Sequence, residues 1–125
     1  MVNEKIIGDK IRSNVWVYKP NNPYSAIEYV AVWDTGSSRT LISEKVVKEL
    51  QLDLTGEKIK IGNIQSQFLE TGIYYCAIFL SDKIKPFGVE SPLIPVSRTD
   101  CDVIIGLDII MLGEFKIAGD VFTYK

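Results

Sequence analysis

Asp34 closes an apolar run of Val30, Ala31, Val32 and Trp33 and opens the stretch Asp34-Thr35-Gly36-Ser37-Ser38. A carboxylate at the end of an apolar strand stands where an isolated charge is penalised, so it needs donors close by. Thr35 offers a hydroxyl, and Gly36 lets backbone approach closely or turn sharply. That combination suits a carboxylate held at an apolar interface by backbone and hydroxyl donors. The same residues are also good turn chemistry, with the acid closing an Asx-type turn at a strand end. Taken alone, the Asp-Thr-Gly tripeptide does not separate the two readings.

The elements that must position this acid are mostly strands. Runs rich in β-formers, bounded by turn residues, recur at 15–18, 27–33, 59–61, 73–80, 93–96, 103–105 and 121–124. That spacing predicts a compact all-β barrel or sandwich. Residues 12–25 read as strand, Pro-Asn turn and strand re-entry. Two segments break the pattern. Behind Ser43, a suitable N-cap, Val46, Val47, Leu50 and further on Leu54 fall at helical spacing. Residues 107–113 predict a second short helix, mostly inside, ending at a left-handed Gly113. Trp16, Tyr18, Tyr74, Tyr75 and Phe79 are expected in the core or as groove walls. Trp33 either packs inside or lines a subsite, with packing preferred.

Composition narrows the chemistry. The 125 residues suit one domain, 1–125, which buries roughly two-thirds of the surface its unfolded chain would expose. At 46% hydrophobic and 24% charged the chain is an ordinary globular protein. A net charge of -2 and a pI near 5.1 give no broad reason to expect nucleic acid or an anionic membrane as partner. The sequence contains no histidine, which counts against a metal site or a histidine base, and no cofactor is expected. Residues 1–12 intersperse charges where a secretory signal needs an apolar run. The longest apolar stretch, 103–113, is interrupted by Asp108 and too short to span a bilayer, so a cytoplasmic location is expected. Cys76 and Cys101 have neither metal-motif spacing nor a Cys-rich context and read as buried free thiols.

A second motif lies about seventy residues beyond the acid: Val103, Ile104 and Ile105, then Gly106, then the start of a helix. An apolar strand with Asp-Thr-Gly-Ser-Ser, followed at this distance by the Ile-Ile-Gly strand, resembles the retropepsin-like aspartic proteases. The likeness runs from about Val30 to Met111 and is most specific at 32–43 and 103–110. It implies a closed six-stranded-type acid-protease barrel with one or two short helices, working as an obligate homodimer. It also implies that Asp34 is the catalytic aspartate and that the Thr35 hydroxyl locks two loops across a dyad. The Gly36 carbonyl would meet substrate, with Ser37 and Ser38 beside it in the groove. Thr40 would brace the loop against the strand of Ile104, Ile105 and Gly106, which threads behind it. A flap is implied between the motifs, its tip near Gly62, Asn63, Ile64, Gln65 and Ser66.

The sequence departs from the viral members of that family in one coupled way. An acid two residues after the Asp-Thr-Gly and an arginine after the Ile-Gly commonly pair there; Ser38 and Leu107 occupy those places here. Losing both partners leaves no orphaned charge, which suits a cellular or bacterial branch. The flap segment also lacks the glycine-rich tip of the viral enzymes. The implied activity is that of an aspartic endopeptidase, acting on a peptide or protein substrate through water activated by two carboxylates. This chain has one Asp-Thr-Gly; Asp102 and Asp108 lack its Thr-Gly support, and Asp108 reads as a helix-start residue. The second aspartate is therefore expected from a second copy, with terminal strands near 5–11 and 121–124 pairing either between copies or within one chain. The rival reading is a catalytically silent peptide-binding or dimerisation module with the same fold.

Overall fold

Alternation of buried and exposed side chains organises the central hairpin of the computed structural model, which describes residues 1–62, 68–95 and 100–125. Strands β1 (Val2–Lys5), β2 (Ile11–Lys19) and β3 (Asn22–Trp33) begin the chain. β2 and β3 pair antiparallel around a left-handed Asn21, and their inward rows are Ser13, Val15 and Val17 against Tyr29 and Ala31, with Trp33 at the end. Period-two alternation puts Val30 and Val32 on the opposite face.

β4 (Leu41–Ile42), α1 (Glu44–Leu50), β5 (Leu54–Gly62), β6 (Phe68–Phe79), β7 (Phe87–Pro92) and β8 (Val103–Ile105) follow. β8 lies parallel beside β3, matching Ala31, Val32 and Trp33 with Val103, Ile104 and Ile105, and β4 pairs antiparallel with the far edge of β8. On the other side, β2 pairs with the end of β6. The same edge of β6 continues against β5, and its opposite edge carries β7. These pairings form an open path from β4 to β5 with β7 as a branch, and the expected closed barrel is not among them. Because the 12-residue β6 is shared among three strands, the sheet branches where a barrel would close. Of the strand expected at 93–96, residue 96 lies outside the described residues; Phe87–Pro92 takes the free edge of β6 instead, and Leu93 makes one bridge to Ile42. Pro92 and Pro95 have no N–H to extend that ladder.

The chain ends with α2 (Leu107–Ile110), β9 (Phe115–Ala118) and β10 (Val121–Tyr124). β10 sits between β9 and β1 in a separate three-stranded sheet, so the two terminal strands pair within one chain. The N-terminal strand is 2–5 rather than the region near 5–11, which turns through a left-handed Gly8 bridged by Ile7 and Lys10. Trp33 joins the two sheets, its ring centroid 4.8 Å from Phe122 and 5.0 Å from Tyr124, and its Nε1 donates to Ser13 Oγ at 2.8 Å. It therefore packs inside and lines no subsite.

Both helices form where expected, with differences at their ends. Ser43 caps α1, its Oγ accepting from Val46 N–H at 3.3 Å. A left-handed Gln51 stops the helix, so Leu54 begins β5 and is exposed, while Leu52 takes the buried place. In α2, Ile109 and Ile110 are buried, but Met111 and Leu112 just beyond are 76% and 70% exposed, so that segment is not mostly inside. Gly113 has no left-handed angle. Glycine is needed there because a Cβ would lie 2.5 Å from the Tyr124 ring, whose hydroxyl donates to the Ile109 carbonyl at 2.6 Å. Trp16, Tyr18 and Phe79 line a surface groove of about 490 Å³ with Pro23 and Pro86, outside the core. None of the described helices is long and apolar enough to cross a membrane.

Candidate active site

The loop that leaves β3 is stitched to itself and to β8. Asp34 N–H donates to the Ile105 carbonyl at 2.9 Å, extending the β3–β8 ladder one residue past the strand. Its carbonyl accepts from Ser37 N–H at 3.1 Å, and its Oδ1 accepts from Gly36 N–H at 2.8 Å. A side chain on Gly36 would begin 3.1 Å from that oxygen, so glycine keeps the donor close to the carboxylate. Asp34, Thr35 and Gly36 are exposed in the single chain, so the acid is not in the apolar surroundings the sequence suggested. Among the described residues the Thr35 hydroxyl has no partner. Ser37 spends its polar groups on the loop, its Oγ donating to the Arg39 carbonyl at 2.6 Å and its carbonyl accepting from Leu107 N–H at 2.8 Å; Ser38 is exposed.

Behind the loop lies a buried cross-brace. Thr40 is fully buried; its Oγ1 donates to Asp108 Oδ1 at 2.7 Å and accepts from Gly106 N–H at 3.1 Å. Thr40 N–H adds a bond to Asp108 Oδ2 at 2.9 Å. Gly106 is pressed so close that a Cβ would fall 2.4 Å from the Arg39 carbonyl oxygen. The structure thus brings Asp34, Gly36, Thr40, Ile105 and Gly106 together across two chain segments. Ile104 faces the other way, into a small apolar cluster with Val32, Leu41 and Cys101. Register places Val32, Ile104 and Leu41 on one sheet face, and strand alternation puts Asp34 on that face as well.

The other nearby acids are engaged in structure. Asp108 starts α2, as expected, but its main contacts tie the helix to Thr40, a role sequence reading missed. The available signal was a carboxylate two residues past the glycine, next to a helix start. Asp102 accepts from Ser43 Oγ at 2.9 Å, holding β8 to the α1 cap. Neither Cys76 nor Cys101 is in a disulfide and both are buried, and burial pushes the Cys76 thiol up to about 12, far from a reactive thiolate. The β5–β6 ladder extends to Gly62 opposite Phe68; Asn63, Ile64, Gln65 and Ser66 of the expected flap tip lie outside the described residues. Arg39 was also unflagged by the sequence: it is half-buried, and among the described residues its buried Nη1 has no hydrogen-bond partner.

No protein-family model matches the sequence, and no curated protein matches it. Among solved structures the chain is similar to a retropepsin-like aspartic protease from Rickettsia conorii, with a TM-score of 0.73 over 98% of this chain and 88% of that one, at 15% identity. At that identity the likeness is one of fold, and it identifies the architecture of this mostly β chain as retropepsin-like.

Proposed function

We propose that this chain is an aspartic endopeptidase subunit whose catalytic group is Asp34, and that two copies assemble the site on a two-fold axis. The observation that carries the reading is the Asp34 loop itself. An exposed carboxylate is held by the Gly36 N–H on a loop locked from behind by Thr40, Gly106 and Asp108. A rigid loop that ends in an accessible acid suits catalysis, because positioning contributes only when the reacting group cannot wander. Asp102 and Asp108 are committed to Ser43 and Thr40, so a second carboxylate must come from elsewhere, and symmetry supplies Asp34 of another copy. The free Thr35 hydroxyl fits a contact across that axis.

In the assembled pair, two facing carboxylates cannot both ionise cheaply and share one proton. The ionised partner takes a proton from water as it attacks the peptide carbonyl, and the protonated partner donates to the carbonyl oxygen. Gly36 N–H holds one carboxylate oxygen during this exchange, and the Thr40 brace fixes the loop.

The test is digestion of a diverse peptide library by the purified chain across pH, with Asp34→Asn alongside. Cleavage should peak on the acidic side, fall on dilution below the dimer dissociation constant and drop by several orders of magnitude in the variant, with peptide affinity held within about tenfold. Peptides bound but never cut would replace this reading with a silent peptide-binding module, and equal cleavage by the variant would remove Asp34 from the chemistry.

A further inference from the structure

Away from the Asp34 loop, the outer face of strands β2, β3 and β6 carries a groove of about 490 Å³. Trp16 and Tyr18 line it from β2, and Phe79, the cross-strand partner of Trp16, lines it from β6. The Trp16 and Phe79 rings meet edge to face, centroids 5.8 Å apart and planes at 68°, and Pro23 and Pro86 complete the apolar wall. All three rings are half-buried and none joins the hydrophobic core. Asp82 is the one charged residue of the lining; it is exposed, and its carboxylate has no hydrogen bond or ion pair among the described residues. Glu28, the exposed cross-strand partner of Trp16 on β3, places a second carboxylate beside the indole, where it accepts a 3.4 Å bond from Asn14. The nearby cations stand outside the lining: the Met1 ammonium donates to Ser81 Oγ, and Lys83 and Lys85 belong to the turn that leads to β7.

We infer that this groove is a docking site for a basic segment of a protein partner, with an arginine or lysine side chain lying against Trp16 and its charge turned toward Asp82. Two independent features select the same sign of charge. An aromatic face attracts a cation through its quadrupole, and an unpaired carboxylate attracts it by charge. Arginine suits both, because its flat guanidinium stacks on an indole while its fork meets a carboxylate. The groove is open along the sheet, so a small free cation would be covered on one side only. A chain segment gains further contact along β3, where alternation puts the almost wholly exposed Tyr24 on the face of Ala26 and Glu28. From Glu28 to Trp33, at the base of the Asp34 loop, β3 runs roughly 17 Å at about 3.3 Å per residue. The site is therefore separate from Asp34 and stands whether or not the chain cuts peptides.

The experiment titrates labelled Gly-Ser peptides carrying Arg, Lys, citrulline, norleucine or Glu at alternate positions into the full chain with Asp34→Asn, so that no peptide is consumed. Anisotropy gives the affinity, and the indole N–H signals locate the site, since Trp16 is half-buried at the groove and Trp33 is buried in the core. The Arg peptide should bind about 10-fold tighter than its citrulline isostere and shift Trp16 while Trp33 stays still. Trp16→Leu should weaken it about 10-fold, and Asp82→Asn about 3-fold with a smaller dependence on salt. Equal binding of Arg and citrulline peptides, or no saturable shift of Trp16 up to about 5 mM peptide, overturns the inference. Affinity unchanged in folded Asp82→Asn, or free arginine binding as tightly as the peptide, also overturns it. Should Trp16→Leu fail to fold, the Trp16 signal and Asp82→Asn decide. Self-association of the peptide-free protein that Asp82→Asn or Trp16→Leu abolishes assigns the groove to a second copy and overturns the inference as well.

Discussion

Replacing Thr40 by valine tests whether the Asp34 loop is held by the buried brace. The two side chains are nearly the same size, so the substitution removes a hydroxyl and leaves no cavity. The fully buried Thr40 Oγ1 donates to Asp108 at 2.7 Å and accepts from Gly106 N–H at 3.1 Å. Valine ends both bonds. Leaving the Gly106 N–H buried and unpaired costs about 1–3 kcal/mol, and the lost bond to a carboxylate contributes about 1.5–3 kcal/mol. Losses that share one network overlap, so the expected destabilisation is about 3 kcal/mol. For a chain of this size that lowers Tm by roughly 12 °C. Thr40→Ser keeps the hydroxyl and loses one methyl, worth about 1 kcal/mol. Urea unfolding of the three proteins at one concentration measures the differences, since dimerisation would make midpoints concentration-dependent. Valine and serine variants within about 0.5 kcal/mol of each other would refute the brace, whatever their absolute stability.

A methyl group on Gly106 would meet the backbone carbonyls of Arg39 and Ser37 at 2.4 and 2.8 Å, so Gly106→Ala should cost more than about 3 kcal/mol or abolish folding. Gly88→Ala, which meets nothing within 4 Å, should stay within about 0.5 kcal/mol in the same urea assay. Stability should also decline in alkali, because Cys76 holds its proton up to about 12 when folded but loses it near 9 when unfolded. The unfolded chain then binds fewer protons between those limits, and stability falls by up to about 1.4 kcal/mol per pH unit. Tyr29, raised mainly by burial and next by its bond to Glu49, pushes in the same direction. Flat urea midpoints from pH 8 to 10.5 would contradict this.

The sequence alone was enough to locate the acid, the Ile-Ile-Gly strand and the first helix, because their signals are local. Asp34-Thr35-Gly36 is turn chemistry at a strand end, residues 103–105 are a short β-branched run, and Ser43 is a cap before a helical stripe. Those signals depend on neighbours a few residues away. Tertiary structure decided what joins them. Thr40 and Asp108 are 68 residues apart, and their bond exists because parallel pairing of β3 with β8 delivers α2 behind the Asp34 loop. The same kind of distant contact determines that β1 pairs with β10, that Gly113 yields to Tyr124 and that the sheet branches at β6. Arg39 shows the limit most clearly: as a sequence letter it is one more surface cation, and only the packing around it shields a guanidinium nitrogen from water without a partner among the described residues. Burial and pairing at long range are properties of the folded chain, so no local pattern encodes them one residue at a time.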